Sequence, residues 1–260
     1  MDGCWSIPGS SPPLLDDAVQ LWRIDLAGTG ASSGESKLLV EGAATVLSLE
    51  ERQIAARMRV GGPAEEFMVA RGCLRRLLGA ALRCGPSDIV LEKGPHGKPF
   101  VRARLSDVAP WFNVAHSHGI ILIGLSRVGE IGVDVEFVDP SIDLEGVART
   151  AFHVDEVARV DLARTLEERL DVFYRCWARK EALTKADGRG LTLEPTTYVA
   201  GLEELGEQCV TLPGSLAGDR FFVREIGVGS SHRAAVATRV ANVSMCTYQM
   251  PMHFSTIFPA

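Results

Sequence analysis

One long helix is the strongest feature of this sequence, and its charged end limits what the chain can do. The run from about Leu166 to Asp187 contains neither Gly nor Pro, is rich in helix-forming residues and is followed by glycines. Apolar residues on one face of this helix give way, at four-residue spacing, to Glu181 and Lys185. A solvated helix end would explain the change, and the alternative is a carboxylate and an ammonium directed into a cleft.

A second pattern lies upstream, where the segment Ile131–Glu136 alternates apolar and polar side chains as a β-strand does. Asp134 and Glu136 share one face of this strand, with their backbones about 6.6 Å apart. A polar outer face is the ordinary explanation, but two adjacent acids repel each other unless positive charge lies between them. The hydrophobic strand at 120–125 precedes this segment and predicts a central position for it.

These two segments together supply candidate ligands for a metal ion. Asp134, Glu136 and Glu181 offer hard carboxylate oxygens without a neighbouring cysteine, which suits Mg²⁺, or Mn²⁺, better than zinc. Candidate phosphate-binding side chains are Arg71, Lys98, His116, Lys180 and Lys185. A metal between carboxylates and cations suits the cleavage of a pyrophosphate, because the metal and a lysine neutralise the leaving oxygen.

Each cationic candidate also has a plainer explanation. Arg71 lies in a helical pattern, where a solvated charged face is equally expected. The segment 94–99 is a tight turn that presents Lys98, and it is not a P-loop because no Ser or Thr follows the lysine. His116 and His118 lack a third soft ligand nearby, so hydrogen bonding or phosphate binding by His116 is favoured over zinc.

Composition excludes several other classes of protein. The net charge of −6 argues against a broad nucleic-acid surface, and no apolar run approaches the ~20 residues of a membrane helix. The first thirty residues lack the pattern of a signal peptide. The six cysteines are scattered without a Cys-x-x-Cys pair, which indicates a reducing compartment. We therefore expect a cytoplasmic protein that binds neither nucleic acid nor membrane.

The distribution of helical and strand patterns predicts an α+β fold of two similar α/β lobes in a pseudo-twofold arrangement. The expected divisions are a disordered N terminus at 1–16, an N-terminal lobe at 17–128, a C-terminal lobe at 129–245 and a tail at 246–260. The tail shows no period and is expected on the surface or disordered. Strands are expected at 196–200, 208–212, 220–226 and 233–239. Two lobes in one chain favour a monomer.

Four short motifs occur in order along the chain. They are Gly97-Lys-Pro99, Phe112-Asn-Val-Ala-His-Ser117, Gly132-Val-Asp-Val-Glu136 and Trp177-x-x-Lys-Glu-Ala-x-x-Lys185. Together they resemble the 4′-phosphopantetheinyl transferase family, in particular its larger single-chain, pseudo-dimeric members of the surfactin-synthetase type. The resemblance implies transfer of 4′-phosphopantetheine from coenzyme A to a serine of an apo acyl or peptidyl carrier protein, with release of 3′,5′-ADP. Such carriers serve fatty acid, polyketide and nonribosomal peptide synthesis.

The resemblance also implies roles for the acidic residues and for one lysine. Asp134, Glu136 and Glu181 would hold Mg²⁺ on the pyrophosphate. Glu181, Glu136 or a metal-bound water would deprotonate the carrier serine, with Glu181 slightly favoured. Lys185 would neutralise the leaving phosphate, and Trp177 would support the turn of helix that carries Glu181.

Substrate contacts are implied in the same way. Arg71, Lys98 and His116 would bind the phosphates of coenzyme A, and the segment around Phe152 and Glu156 would dock the carrier. Two other functions stay open from the sequence alone. One is a Mg²⁺-dependent hydrolase of nucleotide diphosphates, and the other is a non-catalytic module that binds carrier proteins.

Overall fold

The computed structural model describes residues 4–26, 33–58, 62–102, 109–203, 206–214 and 219–258. Its helices are α1 (Ser33–Ala44), α2 (Leu49–Arg57), α3 (Gly62–Leu82), α4 (Leu144–Ala151), α5 (Val154–Leu162) and α6 (Leu166–Asp187). Its strands are β1 (Ala18–Asp25), β2 (Leu91–Lys93), β3 (Pro99–Val101), β4 (Trp111–Ser117), β5 (Ile120–Ser126), β6 (Ile131–Phe137), β7 (Gln208–Val210), β8 (Phe221–Ile226), β9 (His232–Thr238) and β10 (Ser244–Gln249). The predicted α+β class is confirmed.

Two four-stranded sheets organise the described residues. The first has the order β10-β1-β5-β4 and the second the order β6-β9-β8-β7, while β2 and β3 form a separate hairpin. Side chains from the two sheets, such as Leu21 and Leu122 from the first and Val133 and Val236 from the second, share one buried cluster. The sheets therefore pack on each other. Helix α3 covers the outer face of the first sheet and α6 that of the second. A pseudo-twofold relation between the lobes stays a prediction.

The strand that carries the two acids lies at the edge of its sheet, so the predicted central position is wrong. Strand β6 pairs with β9 on one side only. On its other side, the backbone N–H groups of Val133 and Phe137 donate to the side chains of Asn113 and Ser117 on β4, at 2.9 and 3.1 Å. These side chains satisfy the open edge, which explains how an edge strand can be as apolar as a central one.

Local sequence signals account for the two helices that bear on the site. Helix α6 begins with a capping box between Thr165 and Glu168 and ends at Gly188, whose φ of 83° is left-handed. The predicted helix 166–187 is therefore confirmed. Helix α3 begins at Gly62, has Pro63 in its first turn and ends at Leu82.

The structure differs from the expectations in three other segments. The predicted strand at 196–200 is instead a short 3₁₀ turn, Pro195–Thr197, because a proline at its start favours a turn over a paired strand. The tail is not peripheral, since β10 pairs in parallel with β1 and Ile257 is completely buried in the first core. Its aromatic and aliphatic side chains complete the helix-covered face of the first sheet, which explains their lack of a simple period.

At the N terminus, residues 1–3 lie outside the described part, but Ser6 already pairs with Tyr248, contrary to the expectation of disorder through residue 16. In the described part of the chain, none of the helices has the length and apolarity that crossing a membrane requires.

Candidate active site

A close approach between β6 and α6 builds the site. Gly132 packs directly against the helix, because a Cβ added there would lie 2.0 Å from the carbonyl oxygen of Ala182 and 2.4 Å from the amide nitrogen of Ala186. Ala182 and Ala186 are themselves completely buried. Small residues on both elements thus let the backbones meet, and the charged end of α6 lies against the acidic face of β6.

The motif on β6 and the motif on α6 meet at Asp134 and Lys185. The Lys185 Nζ donates to the Asp134 Oδ1 at 2.6 Å, although Asp134 is only 2% exposed. The Asp134 Oδ2 is buried and has no hydrogen-bond partner among the described residues. Burial raises the pKa of Asp134 to about 6, against the opposing effect of Lys185. An unpartnered oxygen of this kind is costly unless a ligand binds it.

Glu136 stands beside this pair on the same face of β6. The indole Nε1 of Trp177 donates to the Glu136 Oε1 at 3.2 Å. Burial, together with the charge of Asp134, raises the pKa of Glu136 to about 7. The charge of Glu181 also raises the pKa of both carboxyls, so the acidic groups of β6 and α6 act on one another.

This donor set fits a hard divalent cation. It consists of carboxylate oxygens that repel each other, one of which has no protein partner, and a cation between them would relieve both costs. Within the described residues, no three acidic, histidine or cysteine side chains are already drawn together as a metal site. The ammonium of Lys185 supplies the local positive charge on Asp134 in this arrangement.

Lys180 does not reach the site, which corrects its predicted role in phosphate binding. Its Nζ forms an ion pair with Glu156 at 2.8 Å and donates to the carbonyl oxygens of Pro195 and Tyr198 at 2.6 and 2.8 Å. Both members of the pair are almost completely buried. Lys180 points away from Glu181 because the adjacent position on a helix faces another direction.

Phe152 and Glu156, the two residues that mark the predicted carrier-docking segment, are internal. Phe152 is 2% exposed and packs against Phe173 and Trp177 of α6. The Glu156 side chain accepts from the Ala200 amide at 2.7 Å and caps the first turn of α5. Neither side chain is itself available to a partner protein, and docking of a carrier on the exposed residues of the surrounding segment stays a prediction.

The remaining predicted phosphate contacts lie at different ends of β4. His116, near the C-terminal end of β4, pairs with Glu66 through Nδ1 at 2.9 Å. Lys98 lies near the opposite end and donates to the carbonyl oxygens of Ile131 and Ala186 at 3.3 and 3.0 Å. Burial lowers the pKa of Lys98. Arg71 lies on α3, with its guanidinium 5.6 Å from the Phe67 ring centre.

Lys98 also lines a cavity of about 340 Å³ beside the end of α6. Trp111, Phe112, Glu130 and Arg189 contribute to its wall. A larger cavity of about 540 Å³ lies between α5 and α6, and its lining includes none of the three predicted metal ligands. Sequence reasoning missed Glu66 as the partner of His116, because nothing in the local pattern of α3 marks that glutamate.

Comparison with known proteins places the chain in a family. The family model of the 4′-phosphopantetheinyl transferase superfamily matches residues 130–237. The transferase HetI of Nostoc sp. is 34% identical over 180 residues, covering 68% of this chain and 72% of the relative. A putative transferase, slr0495 of Synechocystis sp., is 38% identical over 156 residues, covering 59% and 62%. The transferase Sfp of Bacillus subtilis is 28% identical over 169 residues, covering 65% and 72%. This chain belongs to the 4′-phosphopantetheinyl transferase family.

Proposed function

We propose that this protein transfers the 4′-phosphopantetheine group of coenzyme A to a serine of an apo acyl or peptidyl carrier protein, releasing 3′,5′-ADP, in a Mg²⁺-dependent reaction. The observation that carries the catalytic assignment is the meeting of β6 and α6 at Asp134. There a buried carboxylate has one oxygen on Lys185 and the other without a partner. Membership of the transferase family supports the reaction itself.

Asp134, Glu136 and Glu181 would hold the Mg²⁺, for which Mn²⁺ is the natural substitute. When bound, the ion neutralises negative charge on the pyrophosphate of coenzyme A. Trp177 fixes the carboxylate of Glu136 through its indole N–H, so the ligand is oriented before substrate arrives. The raised pKa values of Asp134 and Glu136 mean that protons compete with the ion for both carboxyls, most strongly for Glu136.

Two residues at the charged end of α6 would act on the oxygens that gain or lose charge in the reaction. Lys185 holds a proton on Nζ beside Asp134 and would donate a hydrogen bond to the leaving phosphate oxygen. Glu181 would accept the proton of the carrier serine, although Glu136 or a water molecule could also take it. Because the serine oxygen attacks phosphorus while the bond to the 3′,5′-ADP oxygen breaks, the base and the lysine act on opposite sides of the transferred group.

Coenzyme A would be bound by His116, Lys98 and Arg71. His116 keeps part of its side chain exposed beside Glu66, where it can reach a phosphate. Lys98 would have to exchange one of its two carbonyl partners for a phosphate oxygen. Within the described residues the guanidinium of Arg71 forms no ion pair, although the charge of Glu51 acts on it, so it can bind an anion. Lys180 has no place in this set.

We further propose a monomeric cytoplasmic enzyme with lobes at 17–128 and 129–245. The segment after 245 would be assigned to the N-terminal lobe, because β10 pairs with β1. The absence of a Cys-x-x-Cys pair and the two lobes within one chain support this organisation.

A mass measurement on the carrier tests the proposed reaction. The protein is incubated with coenzyme A, Mg²⁺ and an apo carrier protein, and the intact carrier is then weighed. We expect the carrier to gain one phosphopantetheine on its serine, and a Ser→Ala carrier should gain nothing. Breakdown of coenzyme A without a carrier would indicate a hydrolase instead. Carrier binding with no change of mass would indicate a non-catalytic module.

A further inference from the structure

The N-terminal segment extends the first sheet beyond β10. Ser6 donates through its backbone N–H to the Thr247 carbonyl oxygen at 3.2 Å, and the Gln249 N–H donates to the Ser6 carbonyl oxygen at 2.8 Å. This is a parallel bridge between Ser6 and Tyr248. The bridge is a single pair, and its register continued two residues back along both segments would set Cys4 opposite Cys246. The Thr247 Oγ1 supports this placement, because it donates to the Cys4 carbonyl oxygen at 2.8 Å.

The two cysteines also face the same side of the sheet. Trp5 and Met245 both pack against the cluster of side chains between the two sheets. Successive side chains on an extended segment point to opposite faces, so Cys4 and Cys246 project away from that cluster. Tyr248, two residues beyond Cys246, accordingly packs against the other core. Cys4 is exposed and Cys246 is half-buried, so reagents in solution can reach the pair.

Neighbouring strands lie about 4.7–4.9 Å apart, and disulfides need Cα atoms about 4.4–6.8 Å apart. Directly opposed cysteines on one face would therefore have their Cα atoms within the range that a disulfide needs. We propose that Cys4 and Cys246 are a modification site that forms a reversible disulfide with a small disulfide oxidant such as oxidised glutathione. This inference is independent of the proposed reaction, because neither residue belongs to the candidate active site.

The chemistry is two successive thiol–disulfide exchanges. The thiolate of Cys4 attacks oxidised glutathione, forms a mixed disulfide and releases one glutathione thiolate. The thiolate of Cys246 then attacks the Cys4 sulfur and releases the second. The two cysteines lose two protons and two electrons in total, and one glutathione disulfide becomes two glutathione thiols.

The fold makes this pair selective among the six cysteines. Burial raises the pKa of Cys73 to about 12 and also raises the pKa of Cys176, so both react slowly as nucleophiles. Cys84 and Cys209 are exposed, but they lie on different parts of the fold, since Cys84 follows α3 and Cys209 lies on β7 of the second sheet. The Cys4–Cys246 bond would fasten the N-terminal segment to β10 and close nearly the whole chain into one loop, which restricts the unfolded state.

Peptide mapping of the protein tests the proposal. Protein in native buffer is equilibrated with oxidised glutathione, remaining thiols are alkylated, and the digest is searched for linked peptides. We expect a Cys4–Cys246 peptide that is lost on reduction, and a melting temperature several degrees higher than that of the reduced protein. Cys4→Ser and Cys246→Ser should abolish both the linked peptide and the thermal shift, whereas Cys209→Ser should leave both unchanged.

The same reaction in concentrated urea shows whether the Cys4–Cys246 link depends on the folded register of the two segments or on the intrinsic reactivity of the two thiols. Unfolding places the two thiols at opposite ends of a long flexible chain, so the pair should lose its selectivity. The inference is overturned if native protein carries glutathione on Cys4 without the Cys4–Cys246 link. It is also overturned if the linked peptide forms as readily in urea as in native buffer.

Discussion

Substitution of Gly132 by alanine probes the contact on which the candidate active site depends. The added Cβ would lie 2.0 Å from the Ala182 carbonyl oxygen and 2.4 Å from the Ala186 amide nitrogen. Ordinary contacts of this kind begin at 3.4 Å, and backbone atoms cannot rotate away as a side chain does. Strand β6 and helix α6 must therefore separate by roughly 1 Å or more to admit the methyl group.

That displacement has two measurable consequences. Overpacking of this severity costs about 3 kcal/mol of unfolding free energy, which corresponds to a fall of about 6–12 °C in the melting temperature. Glu181 and Lys185 would move with the helix relative to Asp134, and a misplacement of about 1 Å can cost about 100-fold in rate. We expect kcat/KM for transfer to the carrier to fall by about that factor in the fraction that remains folded.

The assay compares Gly132→Ala with two glycine controls at a temperature where circular dichroism shows every variant to be folded. Gly62→Ala adds a methyl group with no atom within 4 Å and should change neither stability nor rate. Gly124→Ala meets only the side-chain ends of Ile131 and Val133, at 2.7 and 2.8 Å. It should lower the melting temperature while largely sparing the rate. Wild-type kcat/KM in folded Gly132→Ala protein would refute the reasoning.

Four further predictions concern the charged groups. Burial raises the pKa of Asp134 to about 6 and that of Glu136 to about 7, so protons compete with Mg²⁺ and the thermal stabilisation by Mg²⁺ should grow from about pH 5.5 to about pH 8. Without metal, the folded carboxyls hold protons more tightly than the unfolded ones, so the unfolding free energy should fall as pH rises from about 4 to about 7; a flat profile would contradict this sign. Glu156→Gln removes the buried partner of Lys180 and should cost about 3 kcal/mol in denaturant titrations, with KM for coenzyme A within about twofold of wild type. Lys185→Ala should lower single-turnover transfer far more than coenzyme A affinity, and a defect confined to affinity would rule out its role at the leaving group.

Much of the fold could be predicted because its signals are local. The capping box and the glycine stop define α6, and strict alternation defines β6. The parallel pairing of β10 with β1 joins segments from opposite ends of the chain, and no local period reveals it. The edge position of β6 was missed for a similar reason, since Asn113 and Ser117 cover that edge from another sheet.

The same distinction applies to the candidate site. Asp134 and Lys185 could be placed in one site from their motifs, as a metal ligand and a phosphate-binding lysine, and the structure joins them directly. Lys180 could not be assigned correctly, because its partner Glu156 lies on another helix and the burial of that ion pair depends on tertiary packing. The sequence also could not say that His116 and Lys98 lie toward different ends of β4. Lys98 belongs to the turn at 94–99, and no local pattern shows which end of β4 this turn packs against.

Anomalous scattering from Mn²⁺ in crystals grown with coenzyme A tests the central claim most directly. We predict one strong manganese peak per chain, bound by carboxylate oxygens of Asp134, Glu136 and Glu181, and no such peak in Glu181→Gln crystals. A manganese peak bound elsewhere on the chain, with these three carboxylates left unliganded, would contradict the account.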